Sequence, residues 1–111
     1  MSSKFDLVVI GGGSGGVACA RRAAEYNAKV AVIESHRFGG TCVIRGCIPK
    51  KLMMYAGNIS DAIFQAEDFG WIGLKSAEIS HDIGNWTSKK NIEISRLEKI
   101  YEDLLKTSGV E

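Results

Sequence analysis

The sequence predicts an α/β fold, and three observations point there: a β-branched apolar run near the start, a glycine-rich break directly behind it, and an alanine-rich helical stretch leading into a second apolar run. Phe5 to Ile10 is apolar except for Asp6, and Val8, Val9 and Ile10 are β-branched, the pattern of a central strand buried on both faces. Gly11 to Gly16 break that strand abruptly. From Val17 to Tyr26 a helix is expected, with Val17, Ala20, Ala23 and Ala24 on its apolar face and Arg21, Arg22 and Glu25 turned outward. Lys29 to Glu34 reads as a second strand around Val30, Ala31, Val32 and Ile33. Strand, turn, helix and strand within about 30 residues make a βαβ unit, whose strands pair in parallel.

The glycine turn carries the first chemical signal. Gly11, Gly13 and Gly16 have the G-x-G-x-x-G spacing between a strand and a helix. In that context the glycines serve a tight turn, a close backbone approach to a pyrophosphate, and close packing of helix on strand. The N–H groups and partial positive charge of the helix N-terminus then face the phosphates. Glu34 ends the second strand roughly 20 residues further on, where an acidic side chain can hold ribose hydroxyls. A dinucleotide site is therefore expected, against the plainer reading of a flexible glycine loop and a strand-end glutamate.

Further along, Gly39-Gly40 punctuates the chain, and Thr41 to Ala56 contains two of the three cysteines and the single proline. Pro49 disfavours helical geometry at Ile48, so a helix is expected to start at or just before Pro49. Lys50 to Ala66 reads as helical, with Gly57 either separating two helices or kinking one. Phe69 to Leu74 reads as a loop or short edge segment. Between Ile83 and Leu105 the apolar residues Trp86, Ile92, Ile94, Leu97, Ile100, Tyr101, Leu104 and Leu105 come to fit an amphipathic helix that ends near Gly109. Val110-Glu111 looks like the first step into another strand. Two parallel strands do not finish a layered architecture, so a truncated domain is expected.

Composition narrows the function. Net charge is +1 over 111 residues, with lysines and acids interspersed, so neither nucleic acid nor an anionic membrane is an expected partner. The run from Leu7 to Ile10 is too short for a signal peptide or a membrane span, and the chain reads as cytoplasmic. In a reducing compartment three cysteines do not make a structural framework. His36 and His81 are isolated and no cysteine pair has zinc-site spacing, so no metal site is expected. Cys42 and Cys47 bracket Val43-Ile44-Arg45-Gly46 ahead of a helix start, with Arg45, Lys50 and Lys51 nearby to stabilise a thiolate. They read as a reversible redox disulfide or as two unpaired buried cysteines; Cys19, within the first helix, reads as a small packed residue.

The stretch Gly39 to Lys51, GGTCVIRGCIPKK, resembles the redox-disulfide signature of the class I pyridine nucleotide-disulfide oxidoreductases. Pro49-Lys50-Lys51 is similar to the branch holding glutathione, trypanothione and high-molecular-weight thioredoxin reductases, and Val43-Ile44-Arg45-Gly46 to the bacterial and plant-type glutathione reductases. Ala20 to Glu25 supports the same branch. The resemblance covers essentially the whole chain, strongly to about Ala56 and loosely beyond.

That resemblance implies a Rossmann-like FAD-binding βαβ domain, truncated, followed by helices that carry the redox disulfide. Residues 1–111 would be its N-terminal part, with the NAD(P)H-binding and dimerisation domains absent. It implies glutathione-disulfide reductase activity with FAD and NADPH as cofactors, glutathione disulfide as substrate and a homodimer as the full-length form. A trypanothione- or thioredoxin-type reductase, or an inactive nucleotide-binding fragment, are the alternatives. By the same resemblance, Gly11, Gly13, Ser14, Gly15, Gly16, Glu34, Thr41, Cys42 and Lys50 would meet FAD. Cys47 would be the thiolate against the flavin, Cys42 the thiol that attacks substrate, and Lys50 a catalytic neighbour of the flavin ring. Ser14, Arg21 and Tyr101 would touch glutathione disulfide, although Arg21 also reads as a solvated helix residue and Tyr101 as a helix-face aromatic. The general acid, a His–Glu pair of the partner subunit in this family, lies outside the chain.

Overall fold

A computed structural model describes residues 4–111. Strand β1 (Leu7–Ile10) runs into helix α1 (Ser14–Glu25), and strand β2 (Val30–Ile33) follows. Then come a short helix α2 (Gly40–Arg45), helix α3 (Cys47–Gln65), a 3-10 turn (Ala66–Phe69) and the long helix α4 (Ile83–Thr107). β1 and β2 pair in parallel, with Leu7 opposite Val30 and Ile10 opposite Ile33. Parallel strands cannot be joined by a tight turn, and α1 supplies the crossover.

The core gathers where α1 and α4 cross this sheet. Val17, Ala20, Val30, Leu105 and Val110 are buried together, and Leu7, Val9, Ala23, Ala24, Phe38 and Tyr101 pack around them. Burying each of the larger aliphatic side chains here contributes roughly 1.5–3 kcal/mol. The small face of α1 matters as much as the large residues: Ala20 is fully buried, so any bigger side chain there would push α1 off β2. After α4 the amides of Ser108 and Gly109 fold back onto the last helical carbonyls, and Val110 turns into the core. Glu111 donates to the Val30 carbonyl at 3.0 Å and accepts from the Val32 amide at 2.7 Å, so the chain enters a parallel pairing on β2, as its last residues suggest.

Several expectations need correction. β1 is not buried on both faces: Val8 and Ile10 are exposed, Ile10 to 87%, because among the described residues α1 and α4 cover only one face of the sheet. Ile48 is helical despite preceding Pro49, since α3 begins at Cys47 and proline is tolerated in a first turn, where an N–H lacks an intrahelical partner anyway. Gly57 interrupts nothing, and α3 is continuous through it. Cys19 is an exposed free thiol, not a packed residue, because it lies on the side of α1 away from Val17 and Ala20.

The remaining helices extend away from the sheet, giving the molecule extents of 70 × 25 × 18 Å. α3 and α4 form a long hairpin, and its far end carries Phe64, Phe69, Trp71 and Ile72 exposed. No helix among the described residues is long and apolar enough to cross a membrane.

Candidate redox and dinucleotide site

Two glycine segments meet to build the site. Gly11 takes φ +107°, a left-handed conformation in which an L side chain is strained, and this turns the chain sharply out of β1. A Cβ on Gly16 would collide with the Gly11 carbonyl oxygen, so α1 leaves the turn pressed against the strand end. Gly13 caps α1 without a side-chain acceptor, and Ser14 and Gly15 lie exposed behind it. The first-turn N–H groups therefore have neither an intrahelical nor a capping partner and face outward, a cradle suited to a pyrophosphate.

Glu34 sits at the rim of this cradle. Its carboxylate accepts from the Gly12 amide at 2.7 Å and from the His36 amide at 2.8 Å. The Gly12 bond, followed by that of His36, holds the carboxyl below the ordinary glutamate value of 4.5. Glu34 is thus an anion at neutral pH with acceptor capacity to spare, the property needed to take ribose hydroxyls. It also braces the turn. This bracing is complete above the ordinary value and is lost as pH falls through the depressed one, when protonation removes the acceptor.

The second glycine segment pulls the cysteines to the same place. The Gly39 amide donates to the Gly12 carbonyl at 2.9 Å, and Gly13 and Gly39 form a parallel bridge. Gly40 takes φ +63°, and a Cβ there would meet the Gly13 Cα at 2.7 Å, so no other residue lets the backbones close. Phe38 covers the junction: a Cβ on Gly12 would lie 2.5 Å from its ring. α2 starts at Gly40, so Cys42 is anchored one turn from the glycine cradle.

Cys42 and Cys47 form a disulfide with Cα atoms 4.5 Å apart. The bond links the middle of α2 to the first residue of the 19-residue helix α3. The alternative of two unpaired buried cysteines is thereby removed. Cys47 is exposed and Cys42 half-buried. Lys50 and Lys51 follow Cys47 at i+3 and i+4 on the same side of the helix, with the Lys51 ammonium over the Tyr55 ring at 5.7 Å. A sulfur at a helix N-terminus beside cations is where a thiolate is most stable.

The other predicted residues fall in two places. Thr41 and Lys50 are exposed next to the two cysteines. Arg21 is not a freely solvated side chain, since its Nε donates to Ser108 Oγ at 3.3 Å and ties α1 to the end of α4. Tyr101 packs on the core cluster two turns earlier along α4, so both line the seam between these helices. Sequence reasoning missed helix α2, the stitching of Gly39-Gly40 to Gly12-Gly13, the cover by Phe38 and an ion pair between Arg37 and Glu98. Only the glycine pair had left a signal, and it had read as punctuation.

A family profile described as pyridine nucleotide-disulphide oxidoreductase matches residues 5–111. The chain belongs to that family. It is 52% identical over 107 residues to a glutathione reductase of Burkholderia cepacia, covering 96% of this chain and 23% of that protein. It is 44% identical over 113 residues to a glutathione reductase of Debaryomyces hansenii, covering 97% of this chain and 23% of the relative. With the chloroplastic/mitochondrial glutathione reductase of Pisum sativum it shares 42% over 116 residues, 96% of this chain and 21% of the relative. The chain thus spans less than a quarter of the length of these relatives. Membership of that family fits a disulfide placed beside a glycine-rich turn between strand and helix.

Proposed function

We propose that this chain is the N-terminal part of the FAD-binding domain of an NADPH-dependent glutathione-disulfide reductase, with the NADPH-binding and dimerisation domains lying beyond it. The observation that carries the reading is the Cys42–Cys47 disulfide, stitched through Gly39-Gly40 onto the α1 cradle. Similarity to longer glutathione reductases supports the same choice. A homodimer is part of the same reading, formed through the dimerisation domain beyond this chain.

The residues present fit FAD. The N-terminus of α1, with Gly11, Gly13, Ser14, Gly15 and Gly16, would hold its pyrophosphate, Glu34 its adenosine ribose, and Thr41, Cys42 and Lys50 the flavin end. Bound FAD would supply a two-electron relay from NADPH to the disulfide. Two electrons delivered to the Cys42–Cys47 bond break it, and Cys47, favoured by the α3 N-terminus and its two lysines, keeps the thiolate. Cys42 then attacks one sulfur of glutathione disulfide, oriented by Ser14, Arg21 and Tyr101. A Cys42–glutathione bond forms and the first glutathione leaves as a thiolate, which takes a proton from an acid outside this chain. Attack by Cys47 on the Cys42 sulfur restores the disulfide and releases the second glutathione.

Glu34→Ala in the full-length protein is expected to weaken FAD binding roughly tenfold or more, because charged hydrogen bonds to both the turn and the ribose disappear. Flavin fluorescence titration measures this; unchanged affinity removes Glu34 from the site. The overall reading is tested by assaying NADPH oxidation by the full-length protein with glutathione disulfide. Turnover with kcat/KM in the enzymatic range of about 10⁴ M⁻¹s⁻¹ or higher supports it. Turnover only with trypanothione disulfide or oxidised thioredoxin assigns another substrate of the same branch.

A further inference from the structure

Arg37 and Glu98 form the one ion pair among the described residues that is mostly shielded and joins two separate elements of the site. Arg37 Nε and Nη2 donate to Glu98 Oε2 at 2.9 and 2.6 Å, and Nη2 also donates to Ser95 Oγ at 3.3 Å. The side chains are 33% and 19% exposed, whereas the pairs Arg22–Glu25, Arg96–Glu93 and Lys99–Asp103 each lie along a single helix and in solvent. Ion pairs of that second kind contribute little. Arg37 lies 61 residues from Glu98 in sequence, so this contact constrains the fold where local helix pairs do not.

Its position decides what it constrains. Arg37 immediately precedes Phe38, which covers Gly12, and then Gly39-Gly40, which stitch onto the glycine turn and start α2. Glu98 and Ser95 stand on α4, the helix that closes the core through Leu105. We propose that the Arg37–Glu98 pair is a positioning clamp that fixes the segment Phe38–Cys42, and with it the Cys42–Cys47 disulfide, against the dinucleotide cradle. The clamp deepens the proposed function and rests on it for its catalytic consequence, but its structural consequence stands alone. Without the pair, the four-residue span from Arg37 to Gly40 keeps the backbone bond and bridge to Gly12-Gly13 and the packing of Phe38, and loses its one side-chain tie to α4 through hydrogen bonds. Electron transfer between two groups held by separate segments depends steeply on their placement, and a displacement of about 1 Å costs up to roughly a hundredfold in rate.

The test uses the full-length protein with Arg37→Gln, Glu98→Gln and the charge-swapped double variant Arg37→Glu/Glu98→Arg. Two quantities are read: hydrogen exchange at the Gly39 amide, and the rate at which Cys42 and Cys47 become alkylatable after mixing with NADPH. Each single variant is expected to speed Gly39 exchange about tenfold and to slow disulfide reduction by tenfold or more, and the swap is expected to recover most of both. Wild-type exchange in both single variants overturns the clamp, as does a lower melting temperature with unchanged exchange and unchanged reduction rate. If the wild-type protein passes no electrons to the disulfide, the proposed function fails, and Gly39 exchange still decides the clamp.

Discussion

Replacing Cys47 by serine in the full-length protein is expected to cut turnover of glutathione disulfide by roughly a thousandfold or more, without unfolding it. In the proposed mechanism the size follows from removal of a group that would take part in covalent exchange at two stages, as acceptor of electrons and as resolving thiol. The tolerance follows from its place: Cys47 is exposed at the first position of α3, so the substitution opens no cavity in the core. Cys42→Ser is expected to be equally inactive, but for a different reason. It keeps the Cys47 sulfur at the start of α3 and removes the thiol proposed to attack substrate. The two variants therefore separate in a single experiment. Incubated in reduced form with glutathione disulfide, the Cys47→Ser protein is expected to accumulate a mixed disulfide at Cys42, visible as added glutathione mass, and the Cys42→Ser protein to accumulate far less. Equal labelling of both would show that the roles of the two sulfurs are not divided as proposed.

The second large effect concerns the turn, not the chemistry. Gly16→Val is expected to destabilise the protein by about 3 kcal/mol and to abolish FAD retention, since its side chain must occupy the place of the Gly11 carbonyl oxygen and also press on Val9, 3.3 Å away. Backbone atoms cannot rotate aside as a flexible side chain does. Gly15→Ala is the informative partner, because nothing lies within 4 Å of the Cβ it adds and alanine suits a helix better than glycine. Thermal unfolding of the two FAD-free proteins should show a lower melting temperature for Gly16→Val and no loss for Gly15→Ala. A Gly15→Ala variant that keeps its stability but loses flavin would place the cofactor at the open face of the α1 N-terminus. Equal tolerance of both substitutions would contradict the packing described for the turn.

The parts of this structure that were legible in the sequence are those where one local rule suffices. β-Branched runs gave β1 and β2, the glycine spacing gave the turn, and alanines on one face gave α1 packed through Val17 and Ala20. Capping told where α4 ends, at Ser108 and Gly109. What stayed hidden depends on residues far apart in sequence. The helix α2 is only six residues long and begins with a glycine, so propensity gives it no signature, and it exists because Gly40 can close against Gly13. Val8 and Ile10 are exposed because one face of the sheet is uncovered among the described residues, in a chain that spans less than a quarter of its relatives' length. Cys19 was read from its type, whereas its exposure depends on its angular position around α1. In the site, the glycines, Glu34 and the cysteines announce themselves by spacing, while Arg37 and Glu98 are ordinary surface residues until the fold joins them.

The central claim is that Cys42 and Cys47 are a redox couple served by a neighbouring dinucleotide cofactor. Its most direct test is to reduce the full-length, FAD-loaded protein anaerobically with one equivalent of NADPH, alkylate it, and locate the new thiols by mass spectrometry. Two newly labelled residues, Cys42 and Cys47, with Cys19 labelled equally before and after reduction, are the predicted result. Cofactor oxidation with no new thiol at these positions, or labelling of Cys42 and Cys47 already in the oxidised protein, would contradict it.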